Sequence, residues 1–352
     1  MVIRVPLGDD RVDVSVVAWN SWVDLRANLP ALVSQDYPSY RIVVVDNASM
    51  DATADEVEAH FPQVTVLRSA ANDGFGAANN RCFERSGSKY VAALNPDAQP
   101  EAGWLRALVN ALEANPNAAL ATSKVLLASD PSHVNACGTS VHISGISSCR
   151  GLGDDQHDHV TPRSVAAVSG AAFVARRDVL EEIGGFDERF FMYMEDIELS
   201  MRARLAGYDV ILAPRSRVLH DYALDVPAWK FYYLERNRFL LLANIFRVRT
   251  LVVLAPALFL AEAGVWWFAL RRGPRTALAK LRAYAAVVLN VGALLQHRRR
   301  VQAVRRVRDR DLLEVMNTSL PRAPQAQAPL IMAMADRFFG AYAAVLRRIV
   351  RW

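Results

Sequence analysis

The tightest constraint on the fold is an alternation. Val12 to Ala18, Tyr40 to Asp46, Gln63 to Arg68 and Tyr90 to Leu94 are short runs rich in β-branched or apolar residues. Their length and composition are those of buried strands. Helical patterning separates them, as over Asp24 to Val33. Strands alternating with helices predict an α/β domain with a mainly parallel, Rossmann-like sheet, whose ligands lie beyond the carboxyl ends of the strands. Three runs end in polar loops: Asp46-Asn-Ala-Ser-Met-Asp51, Asn72-Asp-Gly-Phe-Gly-Ala-Ala-Asn-Asn80 and Asn95-Pro-Asp97. Placed on one edge of a sheet, they make a site.

Further along, Ser129 to Arg163 shows little periodicity. Val165 to Ala175 reads as a strand, Arg177 to Ile183 as a helix, and Gly184-Gly185-Phe186-Asp187 as a turn. Ile197 to Ala206 reads as a helix and Asp209 to Ala213 as a strand ending before Pro214, with His220 beyond it. Three cysteines (Cys82, Cys137, Cys149) follow no metal or disulfide spacing, which suggests a reducing compartment. The segment Met1 to Asp10 lacks the apolar run of a secretory signal, so the expectation is a cytoplasmic catalytic part.

Charge divides the chain. Residues 1–229 hold 19 Lys and Arg against 30 Asp and Glu, whereas residues 230–352 hold 22 against 6. The basic part is also apolar. Phe231 to Asn244, Thr250 to Leu270, Thr276 to Gln296 and Ala335 to Trp352 read as helices. Nucleic acid is a weaker partner for such a tail than an anionic membrane, because long apolar stretches interleave with the arginines. On an insertion scale, the ten Leu, Val and Phe residues of 250–270 favour the bilayer by roughly 3–6 kcal/mol and a central charge, Glu262, opposes it by about 2.5–3.5. With Pro256 a further cost, and with Arg271, Arg272 and Arg275 stranded on the far side by a span, helices lying in the cytoplasmic face are favoured over spans. A buried helix of a soluble domain is the remaining alternative.

The segment Phe190-Phe-Met-Tyr-Met-Glu-Asp-Ile-Glu-Leu199 sets Glu195, Asp196 and Glu198 beside aromatic residues. A carboxylate against an apolar wall is a candidate general base, since burial raises its pKa. The plain alternative is a helix start whose acids favour its dipole. Asp97 at a strand end suits a hard divalent cation, or is an ordinary turn aspartate, and a lone His220 is more often structural than a ligand. The loop Gly74-Phe-Gly-Ala-Ala-Asn79 matches the dinucleotide fingerprint in only two of three glycines, so a nicotinamide site is disfavoured. A glycine loop opening a helix can still take a diphosphate on its N–H groups.

In order and spacing, these segments resemble family 2 glycosyltransferases, in particular the bacterial rhamnosyltransferase-like branch. The resemblance rests on Val14 to Asn20, Val43 to Asp51, Asn72 to Asn80, Leu94 to Asp97, Ser169 to Phe173, Gly184 to Glu188, Glu195-Asp196 and His220. It implies a GT-A fold that takes a nucleotide-diphospho-sugar and inverts the anomeric centre. The catalytic domain is then expected over residues 1–240, with the nucleotide-sugar part at about 10–125 and the acceptor and base part at about 165–225. Residues 241–352 are the membrane-associated helices.

By position, the resemblance implies that Asp46 binds the nucleobase, and that Asn72, Gly74 and Asn79 lie along the nucleotide and diphosphate. Asn95-Pro-Asp97 stands where the family writes D-x-D, with Asn95 replacing the first aspartate. Asp97 would hold Mg2+ or Mn2+, with His220 the other protein ligand or a diphosphate contact, and Asp196 would be the base. Glu195 would orient the loop or acceptor, and Glu198 is read as a helix-surface charge. Asp187, Trp104 and Tyr193 are acceptor-side candidates. The expected reaction moves a sugar, L-rhamnose from dTDP-rhamnose first among the options, onto a lipid-linked saccharide or cell-surface glycan. A UDP-sugar donor and a silent membrane scaffold are the rivals.

Overall fold

The computed structural model describes residues 8–222, 225–321 and 329–352. The segment read for an export signal lies, through Leu7, outside them. The chain divides into two compact units, one comprising residues up to Thr139, Cys149–Ala203 and Tyr208–Ala223, the other Ser140–Ser148, Arg204–Gly207 and Leu224–Trp352.

The first unit alternates as the sequence predicts. β1 (Gly8–Ala18), α1 (Trp22–Val33), β2 (Tyr40–Asp46), α2 (Thr53–His60), β3 (Thr65–Arg68), α3 (Phe75–Glu84) and β4 (Ser88–Leu94) follow in turn. β5 (Ala98–Pro100), α4 (Trp104–Glu113), β6 (Ala118–Leu127) and β7 (Asp130–Ala136) come next, then the short β8 (Thr139–Val141) and β9 (Ser147–Cys149), which fall mostly in the second unit, and β10 (Arg163–Ser164). β11 (Ala172–Arg176), α5 (Arg177–Ile183), a 3-10 turn at Glu188–Phe190, α6 (Glu195–Leu205) and β12 (Asp209–His220) complete it.

The main sheet runs β10-β12-β6-β11-β4-β1-β2-β3. β3, β2, β1 and β4 are parallel and level, with Ala18 opposite Asp46 and Asp46 opposite Arg68, and Val16 opposite Leu94. β11 is antiparallel to β4 with Ala172 opposite Leu94, so its amino end meets the carboxyl end of β4. One edge therefore collects the loops after β2, β3 and β4 and the loop before β11. Alternate residues Val12, Val14 and Val16 of β1 pack with Leu25, Leu29 and Leu32 of α1 and with Trp104, Leu105, Leu108 and Leu112 of α4. Full burial of each such side chain stabilises by about 1.5–3 kcal/mol, which fixes the strand ends in place.

Three boundaries differ from expectation for local reasons. β12 continues through Pro214, because the register shifts between Ala213 and Arg217 and a bulge accommodates a residue without an N–H. His220 thus ends the strand, opposite Ala98 and Leu127. The run Val165 to Ala175 forms a strand only from Ala172 onward; before it, Ala167 makes an isolated bridge to Thr139. Ser129 to Arg163, despite its weak pattern, supplies β7, which pairs with β6.

The second unit contains α7 (Ala228–Ile245), α8 (Val248–Arg271), α9 (Pro274–Leu289), α10 (Val291–Ala303), α11 (Asp309–Val315) and α12 (Pro329–Ile349). The helix expected over Thr276 to Gln296 is instead two, bent by 70°. At the break, Asn290 turns its side chain back to donate to the Ala286 carbonyl at 2.8 Å, a competition with helix bonding typical of asparagine. α8 is the one single helix among the described residues long and apolar enough to cross a membrane. Glu262 is not a lone charge. It accepts from Arg238, Lys280 and Tyr284, and Arg238 also pairs with Glu235 at 2.8 Å. Lys280, fully buried, contacts both glutamates.

Candidate active site

The turn after β4 is fixed on both sides. Asn95 N–H donates to the Ala171 carbonyl at 2.9 Å, and the Asn28 amide of α1 donates to the Pro96 carbonyl at 2.9 Å. Asp97 is brought to His220, with Oδ1 and Nε2 3.3 Å apart. His220 Nδ1 faces Asn135 Oδ1 at 3.1 Å, which orients the ring with Nε2 towards Asp97. Asp97 Oδ1 is buried with no hydrogen-bond partner, and a carboxylate oxygen beside an imidazole nitrogen held by an outer partner is an arrangement that can ligate a cation. Asp24 contributes to the same field, for its pKa is raised by burial first and then by Asp97 and Asp221. Carboxylate oxygens with one imidazole suit Mg2+ or Mn2+, so the residues fit a hard divalent ion. Asn135 escaped the sequence reading because β7 shows no clean alternation.

Asp46 is buried at the end of β2, and its Oδ1 accepts the Ser49 N–H at 3.3 Å. Beside it, Asn47 staples the glycine loop. Its amide donates to Asn72 Oδ1 at 2.9 Å and to the Gly74 carbonyl at 3.3 Å, while its own Oδ1 accepts the Asp73 N–H at 3.3 Å.

Here the structure corrects an expectation. The Asp73, Gly74 and Phe75 N–H groups, read as a diphosphate cradle, are committed to Asn47 Oδ1, Asn72 Oδ1 and the Phe191 carbonyl. Asn79 is likewise turned inward. It is fully buried and donates to the Phe75 carbonyl of its own helix at 3.0 Å, while its Oδ1 is buried with no hydrogen-bond partner.

The base segment is anchored by the glycine turn before it. Asn80 of α3 accepts the Phe186 N–H at 2.8 Å and donates to the Phe186 carbonyl at 3.0 Å. Asp187 is buried and pairs with Arg189 at 2.6 Å; it holds the 3-10 turn rather than facing out as an acceptor contact. Phe191, Tyr193 and Met194 then all take positive φ, 63°, 63° and 67°. Such residues store about 1–3 kcal/mol each and cluster at functional sites.

Asp196 follows on the first turn of α6. Its Oδ2 accepts the Gly170 N–H at 2.7 Å and its Oδ1 the Ile197 N–H at 2.8 Å. Burial pushes its pKa up to about 6, against the lowering by those N–H groups. Glu195 is buried more deeply and its Oε2 has no partner. Burial, with the charge of Asp196 second, raises it to about 8. At neutral pH the pair is thus one carboxylate and one carboxylic acid, the division that acid–base chemistry needs.

Two further readings are revised. Glu198 is no surface charge; it is fully buried and pairs with Arg202 at 2.5 Å. Trp104 is a core residue, wholly buried in α4 with Nε1 donating to Ser123 Oγ at 2.9 Å, and does not face an acceptor. Tyr193 is half-buried beside the pair, and burial followed by Glu195 raises its pKa.

The sheet order and site edge define a GT-A-like α/β fold, and solved structures share it. GalNAc-T7 with UDP, GalNAc and Mn2+ superposes with a TM-score of 0.55 at 16% identity, covering 66% of this chain and 48% of that one. The mannosyltransferase PcManGT of Pyrobaculum calidifontis, in complex with GDP-Man and Mn2+, gives 0.50 at 20% identity, covering 86% and 88%.

Residues 13–184 match the family model described as Glycosyl transferase family 2. Those residues form a family 2 glycosyltransferase domain, and the chain is similar to members of the rhamnosyltransferase-like branch. An N-acetylglucosaminyl-diphospho-decaprenol L-rhamnosyltransferase of Mycobacterium tuberculosis is 28% identical over 61% of this chain and 77% of its own length. A pre-mycofactocin glycosyltransferase of the same organism is 27% identical over 64% of this chain; the match spans 46% of that relative.

Proposed function

We propose that the chain transfers L-rhamnose from dTDP-rhamnose, with inversion, to a hydroxyl of a lipid-linked saccharide or cell-surface glycan at the cytoplasmic face of a membrane. The observation that carries this reading is Asp196, a partly accessible carboxylate fixed by two N–H groups at the edge where the loops after β2 and β4 converge. The acceptor hydroxyl gives its proton to Asp196 as its oxygen bonds to the anomeric carbon. The bond from that carbon to the diphosphate oxygen breaks on the opposite face and its electron pair leaves with the diphosphate. Asp97 and His220 would hold the divalent cation, whose charge stabilises that leaving group. Asp46 receives the nucleobase N–H, Asn72 and Asn95 line the donor side, and the uncharged Glu195 carboxyl keeps a second negative charge away from the base. The name of the Mycobacterium tuberculosis rhamnosyltransferase specifies an L-rhamnosyl group and a diphospho-decaprenol acceptor, which supports the same choice here.

The second unit supports a membrane role through its surface. Phe259, Trp267 and Leu289 are exposed in a segment dense with arginine, the make-up of helices lying in a lipid interface. Because Glu262 is paired, only apolar side chains and flanking cations are left for the lipid.

Turnover with dTDP-rhamnose against UDP-galactofuranose, UDP-glucose and UDP-N-acetylglucosamine, on a lipid-linked acceptor pool with products weighed, tests the donor. Protection against thermal unfolding by UDP and not dTDP would discard rhamnose. Sedimentation of the full chain with phosphatidylglycerol vesicles tests the membrane arm. Binding that survives Phe259→Glu with Leu289→Glu would move it elsewhere on the molecule.

A further inference from the structure

The glycine loop and the base segment meet at one atom, the Phe191 carbonyl oxygen. Gly74 has φ 88°, and a Cβ there would stand 2.1 Å from that oxygen and 2.7 Å from its carbon. No larger residue fits while the base segment stays where it is. Phe75, the first residue of α3, donates its N–H to the same oxygen at 2.7 Å. Phe191 itself, at φ 63° and ψ −64°, is the centre of a γ-turn closed by Met192 N–H on the Phe190 carbonyl at 2.7 Å. This is the rare, strained form of that turn. With Tyr193 and Met194 also at positive φ, the turn persists only if neighbours hold it. It leads straight into α6, where the Met194 carbonyl accepts the Glu198 N–H at 2.9 Å, two residues from Asp196.

We propose that Gly74 and the Phe75 amide are positioning residues for Asp196: acting through the Phe191 carbonyl, they hold the strained turn that aims the base. In this reading they serve the acceptor side of the reaction and do not bind the donor's diphosphate. The role presupposes Asp196 as the base.

The backbone allows a direct test in the full-length enzyme. Phe75→Pro deletes the one N–H at a first helical position, where proline is tolerated, and Gly74 at ψ 175° is compatible with a following proline. Phe75→Leu keeps the N–H and loses only the ring, which packs on Phe186. Phe75→Pro and Gly74→Ala are expected to lower kcat by roughly 10²-fold, the scale of a misplaced catalytic group, and to move the acid limb of the kcat–pH profile. Affinity for dTDP or UDP, whichever binds, should stay within about threefold, well under the tenfold that 1.4 kcal/mol of lost binding would give. Phe75→Leu should keep kcat.

The proposal is overturned by an unchanged kcat in Phe75→Pro, by equal losses in Phe75→Pro and Phe75→Leu, or by lost nucleotide affinity at constant kcat. If Gly74→Ala does not fold, the Pro–Leu pair decides. Asp196→Asn run alongside separates the two claims: if it keeps its rate, the base assignment fails; if it is dead while Phe75→Pro is fully active, only the positioning role fails.

Discussion

Buried charge is handled in opposite ways by the helical unit and by the base segment of the α/β unit. In the helical unit Arg238 pairs with Glu235 and Glu262, Lys280 with the same two glutamates, and Arg305 with Asp309 at 2.6 Å. In the α/β unit Glu195 is buried with no cation, its Oε2 unpartnered, and Asp196 beside it has only backbone N–H groups. Charge neutralised by charge builds a scaffold. Charge left against apolar walls shifts in pKa instead, and that shift is what a proton-transfer site uses. Glu198 belongs to the scaffold kind although it lies only two residues from Asp196, because Arg202 reaches it.

The sharpest way to break the contrast is at the base. Asp196→Asn keeps the shape and removes the proton acceptor, so kcat should fall by about 10²–10⁴-fold with nucleotide affinity nearly unchanged. In the wild-type enzyme kcat should decline as pH falls through about 6, where the carboxylate takes up its proton. A variant with more than about a tenth of the wild-type rate, less than the smallest loss expected of a base, would reduce the unpaired pair to architecture.

Next in size is the opposite unit. Lys280→Met leaves Arg238 alone against buried Glu235 and half-buried Glu262, and breaking a buried pair destabilises by about 3–5 kcal/mol. Denaturant unfolding of the purified protein should show it, and Lys280→Met with Glu262→Gln should recover part of the loss. If Lys280→Met were neutral, the network would not be the scaffold described here.

How much of this was legible follows from range. The strand–helix alternation and the loops at the strand ends came through, because hydrophobic period and turn chemistry are local signals; that Asp97 belongs with His220 was implied only by the family resemblance. β6, fully buried through most of its length, reads Ala-Ala-Leu-Ala-Thr-Ser-Lys and has no alternation to find. Asn135 touches His220 across 85 residues, and the Gly74–Phe191 contact joins loops more than a hundred positions apart. The glycine was visible, but its reason was not: the sequence suggested a phosphate, and the structure supplies a carbonyl. Trp104 and Glu198 misled for a related cause, since an aromatic near a motif or an acid on a helix shows its burial only once packed.

The buried acid gives a subtler test, read in stability. Glu195 holds its proton in the folded state up to about 8, while unfolding returns it to its ordinary value of 4.5. Between those limits Glu195 binds its proton more tightly in the folded state, so the stability it contributes is fully present below about 4.5 and is lost as pH rises towards 8. Glu195→Gln should flatten that slope in urea melts taken at a series of pH values. An unaltered slope would mean that the charge is compensated after all.

The smallest effect separates core from site at Trp104. Trp104→Phe removes the indole N–H that bonds Ser123 Oγ, and Ser123 keeps its contact with Ser216 at 2.9 Å. The net loss of one such hydrogen bond is about 0.5–1.5 kcal/mol, with a little more for the unfilled space. Unfolding should register it while kcat and the acceptor KM stay put, because the side chain is wholly buried in the α4 layer. A raised acceptor KM at unchanged stability would return Trp104 to the acceptor side and mean that α4 opens towards the substrate during turnover.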